Sequence, residues 1–99
     1  MTINIQYQGM STSQSLSKIV TDKLDKLYKR YDWIIKANVL FKLEKNPTGI
    51  GRICEMELSA PGPRIFAKSD EDNFEKAAVE TIHDLERQLR KRKQTFRPY

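Results

Sequence analysis

The sequence predicts a single α+β domain of order β-α-β-β-β-α, a four-stranded sheet with both helices on one face. Three observations lead there. Short segments alternate apolar and polar residues with the period of a half-buried strand. Two longer segments repeat apolar residues at the spacing of an amphipathic helix. Stretches of turn and cap chemistry separate most of them.

The first segment, TINIQYQ, sets Ile3, Ile5 and Tyr7 on one face and Thr2, Asn4 and Gln6 on the other. GMSTSQ breaks it and starts a helix. Ser11 with Gln14 fits a capping box, and Ser13 is an equally good cap. Leu16, Ile19, Val20, Leu24, Leu27, Tyr28 and Tyr31 then predict a helix over residues 13 to about 31. After YDW, the run IIKANVLFKLEK alternates again, with Ala37, Val39, Phe41 and Leu43 on one side. NPTGIG is a hairpin turn. RICEMELSA puts Cys54, Met56 and Leu58 on one face against Ile53, Glu55 and Glu57. APGP is a second turn, and RIFAKS a short strand with Ile65 and Ala67 inward.

The last element is expected to be a helix starting at Ser69 or Asp70. Asp70, Glu71 and Asp72 then crowd its first turn, where the helix dipole favours acids. Its buried stripe is Phe74, Ala77, Ala78, Thr81, Ile82, Leu85 and Leu89. It is expected to run to about Gln94, with residues 94–99 as a flexible tail of the 1–99 domain. Strands joined through a helix should pair in parallel, by a right-handed crossover, and those joined by short turns antiparallel. Each strand has one apolar face, so both helices must cover the same side of the sheet.

Composition narrows the function. Ninety-nine residues support one core. With 38% hydrophobic residues the chain is too apolar for disorder. Its apolar runs are too short to span a membrane. MTINIQYQ has neither the basic start nor the apolar stretch of a signal peptide. One cysteine, Cys54, makes no internal disulfide, and no Cys/His cluster suggests zinc. These features predict a reduced, cytoplasmic protein with no metal or other cofactor.

Catalysis has little to work with. His83, the lone histidine, falls beside the polar face of the last helix and reads as an ordinary surface residue. Cys54 reads as a small buried hydrophobe. Glu55 and Glu57 read as solvated carboxylates or cross-strand partners for Lys42. Gly49 and Gly51 precede a strand rather than a helix, so they are not a phosphate-binding loop. No enzyme is expected.

The cations point elsewhere. The net charge is +5, and it is segregated. Residues 70–86 carry seven acids and one lysine, whereas residues 87–99 carry six bases and no acid. Those bases are Arg87, Arg90, Lys91, Arg92, Lys93 and Arg97. Cations at a helix C-terminus complement the dipole, but that effect fades within a turn. One or two would satisfy it, and six repel one another unless an external anion relieves them. The first helix adds Lys23, Lys26 and Arg30 on one stripe and Lys18 and Lys29 on the next, against Asp22 and Asp25 only. On the last helix, Lys76, Arg87, Arg90 and Lys91 lie opposite the buried stripe, while Arg92 and Lys93 turn toward the core side. Such a distribution predicts a polyanionic partner. No helix-turn-helix, zinc finger or heptad-bearing basic region is present, and the sheet lacks paired aromatics for stacking bases. Two basic helices suit the backbone of a structured RNA.

These residues resemble a family across essentially the whole chain. The entry INIQYQGMSTSQSLSKIV, the helix end KLDKLYKRYD and above all the closing AAVETIHDLERQLRKRK are similar to the short-form ribosome hibernation-promoting factors. That family is also called ribosome-associated translation inhibitor or sigma-54 modulation protein. The spacing of Leu85, Arg87, Gln88, Leu89, Lys91 and Lys93 is the most specific point of likeness. The resemblance implies a fold related to double-stranded-RNA-binding domains.

It also implies binding to rRNA of the small ribosomal subunit over the decoding region. There the protein would compete with mRNA and with A- and P-site tRNA, inhibiting translation in idle ribosomes, a stress and stationary-phase response. By residue match, Lys23, Lys26, Arg87, Lys91 and Lys93 are its rRNA-binding residues. Lys29, Arg30, Arg90 and Arg92 join them on charge and position. Long-form members carry a second, ribosome-pairing domain, and none is expected within these residues. The free protein is expected to be monomeric. The competing readings are a general double-stranded-RNA-binding module and, from another class, a small enzyme or transcription regulatory protein.

Overall fold

The computed structural model describes residues 1–46 and 49–95. Pro47, Thr48 and the last cation, Arg97, lie outside the described residues. The order is β1 (Thr2–Gln8), α1 (Gln14–Arg30), β2 (Lys36–Asn46), β3 (Gly49–Ser59), β4 (Ile65–Glu71) and α2 (Phe74–Thr95). The strands lie in the order β1-β2-β3-β4, with β1 parallel to β2 and both remaining pairs antiparallel. This is the predicted α+β topology.

The core lies between one face of the sheet and the two helices. Ala37, Val39 and Phe41 from β2 and Cys54, Met56 and Leu58 from β3 meet Val20, Leu24 and Leu27 of α1 and Ala77, Ala78, Ile82, Leu85 and Leu89 of α2. Thr81, also fully buried on α2, is satisfied by the carbonyls of Ala77 at 2.8 Å and Cys54 at 3.3 Å. Tyr7 stacks on Phe41 with ring centroids 5.4 Å apart, and Phe74 meets Phe41 edge-on at 5.8 Å. The Tyr7 hydroxyl donates to the Ser13 carbonyl at 2.6 Å, tying the end of β1 to the start of α1.

Of the two possible caps, Ser13 is the one used: its side chain accepts from the Leu16 N–H at 3.2 Å. Between β1 and α1 the chain needs a left-handed residue, and Gly9 supplies it at φ 74°. A Cβ there would sit 2.8 Å from the Leu43 carbonyl oxygen.

Two expectations need correction. The last helix does not begin at Ser69 or Asp70. Ser69, Asp70 and Glu71 continue β4, opposite Cys54, Ile53 and Arg52. The ladder satisfies their backbone, and the helix starts only where Asn73 can cap it, its side chain accepting from the Lys76 N–H at 2.7 Å. Glu75 is thus the acid in the first turn, and the dipole argument for the other three falls away. At the far end the helix reaches Thr95, so Gln94 and Thr95 are helical rather than tail. Ile53 is on the outer face, between Lys42 and Asp70, yet it is buried because it lies in a central strand with neighbours on both sides.

Candidate nucleic-acid interface

Both helices follow strands that run in the same direction, so α1 and α2 lie side by side and their C-terminal ends come together. Their contact forms a groove of about 280 Å³, lined by Lys23, Lys26, Leu27 and Arg30 from α1 and Val79, Ile82, His83 and Glu86 from α2. Spacings of three and four residues put each set on one helical stripe. The sequence reading had Lys23, Lys26 and Arg30 on one stripe, and they are.

Glu86 bridges the helices. Its carboxylate accepts from Arg30 at 2.8 Å and from Arg90 at 3.3 Å. At the joined C-terminal ends, the buried Tyr31 ring carries the Arg30 guanidinium 5.6 Å and the Lys93 ammonium 5.7 Å from its centroid. Cation–π attraction holds one charge from each helix against the same ring. Lys29, Arg30, Arg92 and Lys93 sit in last turns, where the two dipoles favour them. Lys23, Lys26, Arg87, Arg90 and Lys91 lie further back, and the dipoles do not account for them.

The predicted site residues fall into three groups. Lys23, Lys26, Lys29, Lys91 and Lys93 make no ion pair among the described residues, Lys93 resting instead against the Tyr31 ring. Arg30, Arg87 and Arg90 are paired but exposed, Arg87 with Asp84 at 2.9 Å. Arg92 stands apart. Its guanidinium donates to the carbonyls of Pro61 and Pro63, fastening the end of α2 to the β3–β4 turn. Gly62 is at φ 97° between them, and a Cβ there would sit 3.3 Å from the Arg92 guanidinium.

Sequence reasoning missed Tyr31 and Glu86 as organisers of this surface. Tyr31 reads as core, and the 56-residue separation of Arg30 from Glu86 leaves no periodic trace. His83 is exposed, as expected, but it belongs to the groove wall beside the cations. Its three-residue spacing from Glu86 was the available signal.

The outer face of the sheet holds a shallow depression of about 710 Å³. Asn4 donates to Asn38 there at 3.1 Å, and Phe66 of β4 is a lone outward aromatic among the described residues of the sheet, 50% exposed. Most of this face's cations are paired with carboxylates, Lys36 being the exception among the described residues. Lys42 contacts Glu55 at 3.1 Å and Glu44 at 3.4 Å, and Arg64 contacts Glu57 at 3.2 Å. Hydrogen bonds and charge from Glu55, then Glu44, push the Lys42 pKa up. Burial pushes the Cys54 thiol up to about 12, so it is no nucleophile at neutral pH. Among the described residues no cluster of three or more His, Cys, Asp or Glu could hold a metal, and no helix is long and apolar enough to cross a membrane.

Comparison with known proteins agrees with this architecture. A ribosome hibernation promoting factor of Pseudomonas putida is 30% identical over 95 residues, 95% of this chain and 88% of the relative. A ribosomal subunit interface protein from Coxiella burnetii superposes with a TM-score of 0.84 at 28% identity, covering 95% of this chain and 99% of that one. The N-terminal domain of Thermus thermophilus Protein Y shares the fold, with a TM-score of 0.78 at 18% identity over 92% of this chain and 98% of that one. The profile of one family, described as sigma 54 modulation protein / S30EA ribosomal protein, matches residues 3–97. Matched over nearly its whole length in sequence and in fold, the chain belongs to the sigma-54 modulation protein / S30EA ribosomal protein family.

Proposed function

We propose that this chain is a ribosome hibernation factor of the cytoplasm. It binds the small ribosomal subunit over the decoding region, excludes mRNA and A- and P-site tRNA, and so inhibits translation in idle or stationary-phase cells. Family membership supports a ribosome-associated role, as do the names of the relatives in Pseudomonas putida and Coxiella burnetii. The observation that carries the contact surface is the run of cations across both helices, several of them without an internal partner. Lys23, Lys26, Lys29, Arg30, Arg87, Arg90, Lys91 and Lys93 meet rRNA phosphates as a shaped basic surface, whereas Arg92 holds the helix end in place. Phosphate contacts of this kind position a protein on RNA without reading its sequence.

Gradient sedimentation with separated subunits tests the reading. The protein should travel with the small subunit, and added mRNA and tRNA should displace it. Six to ten phosphate contacts imply an affinity loss on the order of 10³–10⁵ between 50 and 200 mM salt. Preference for the large subunit, or affinity that ignores salt, overturns the proposal. Equal affinity for free duplex RNA would instead favour a general RNA-binding module.

A further inference from the structure

We propose that Glu86 is a selectivity residue, an internal anion seated between the helices that keeps stray polyanions out of the basic groove. The inference rests on the rRNA-binding reading and concerns how the same surface discriminates among RNAs.

Among the described residues, Glu86 is the one acid lining the groove, and Lys23, Lys26, Arg30 and His83 share that lining. One carboxylate oxygen takes a hydrogen bond from Arg30 at 2.8 Å and the other takes one from Arg90 at 3.3 Å. Two acceptor oxygens set between two guanidinium groups imitate the way a phosphate engages arginine. Fold stability is a poor reason for the arrangement. Arg30 and Arg90 are more than half exposed, at 58% and 57%, and exposed pairs add little to stability. Arg87 pairs locally with Asp84, three residues away, but Glu86 reaches across to the other helix.

The consequence is a threshold. A phosphate approaching Arg30 or Arg90 must displace a carboxylate that is already in place and tethered. A short duplex that presents a few phosphates meets that competition with little else to offset it. A rigid RNA surface that also engages the unpaired Lys23, Lys26, Lys29 and Lys91 offsets it with many contacts. Placing a competing charge against the wrong partner is how specificity is raised without stronger contacts to the right one.

Glu86→Gln keeps the shape and removes the charge. Glu80→Gln adds the same net charge at an exposed position of the same helix and serves as the control. Each is titrated against a short RNA duplex of unrelated sequence and against purified small subunits at fixed salt. Glu86→Gln should bind the duplex about fivefold more tightly than the parent, with Glu80→Gln changing it less than about twofold. Small-subunit affinity should rise less than duplex affinity in Glu86→Gln, while Glu80→Gln leaves the ratio of the two unchanged, so selectivity falls only in Glu86→Gln. Equal gains in the two variants reduce the effect to bulk charge and overturn the proposal. Loss of binding to both RNAs by Glu86→Gln overturns it too, since Glu86 would then be aligning the arginines. Should Glu86→Gln melt early, Glu86→Ala repeats the test with a stronger helix former. A parent that binds no subunit sinks the ribosomal reading, while the duplex titration still decides Glu86.

Discussion

The two sides of this molecule both carry cations, the helical side more of them, and hold them in different condition. On the outer face of the sheet, Lys42 lies against Glu55 and Glu44, Lys68 approaches Glu55 at 4.0 Å, and Arg64 meets Glu57. On the helical side, Lys23, Lys26, Lys29 and Lys91 have no such partner among the described residues, and Glu86 alone serves two arginines. Counting charge therefore does not locate a binding surface. A face that has satisfied its cations internally has little to gain from an external anion. A face that keeps several cations unpaired among its paired ones, across two helices, is electrostatically prepared for one.

The largest expected effect comes from breaking that contrast on one side. Replacing Lys23, Lys26 and Lys91 together with Gln should weaken small-subunit binding about 100-fold and lower the salt slope by about three. Thermal melting should hardly move, because none of the three is paired. The same exchange at Lys42, Arg64 and Lys68 removes equal charge and should cost less than about threefold in binding. It should also lower the melting temperature by leaving Glu55 and Glu57 without partners. Equal loss of binding in the two triples would mean that net charge, not the helical face, is what the ribosome sees.

Arg92 sharpens the comparison, being a helical cation with an internal job. Arg92→Gln should destabilise the fold by about 1 kcal/mol, since charged hydrogen bonds to two carbonyls are lost at a half-exposed site. It should change the salt slope by less than about one contact. A full unit lost from the slope, with stability unchanged, would return Arg92 to the rRNA-contacting set.

The smallest effect on binding belongs to the core that separates the two faces. The Cys54 thiol, ordinarily near 9.0, is raised to about 12 by burial. Between those values the unfolded chain gives up a proton that the folded chain keeps, so stability is complete below pH 9.0 and declines as pH rises toward 12. Denaturant midpoints from pH 8 upward should show the decline, and Cys54→Ala should flatten it. Binding at neutral pH should be the same for both. Rapid alkylation of the native thiol at pH 7 would contradict the burial that underlies this reading.

Much of this protein was legible from local pattern. Alternation identified each strand and its inward face, and helical spacing identified both buried stripes, since each depends on residues within one element. The stripe of Lys23, Lys26 and Arg30 was legible for the same reason. The start of α2 was not. Acids before a helix look like first-turn residues, and only the ladder with β3 reveals that Ser69, Asp70 and Glu71 are strand. Which cations remain free was equally hidden, because Glu86 and Arg30 are 56 residues apart and Arg92 meets Pro61 and Pro63 only after the β3–β4 turn folds beneath α2. Sequence alone determined the elements, their order and the sign of the surface, all set by short-range periodicity and composition. Tertiary structure decided the pairing of those charges, because pairing needs atoms within a few ångströms, and only the packed helices and sheet bring distant residues that close.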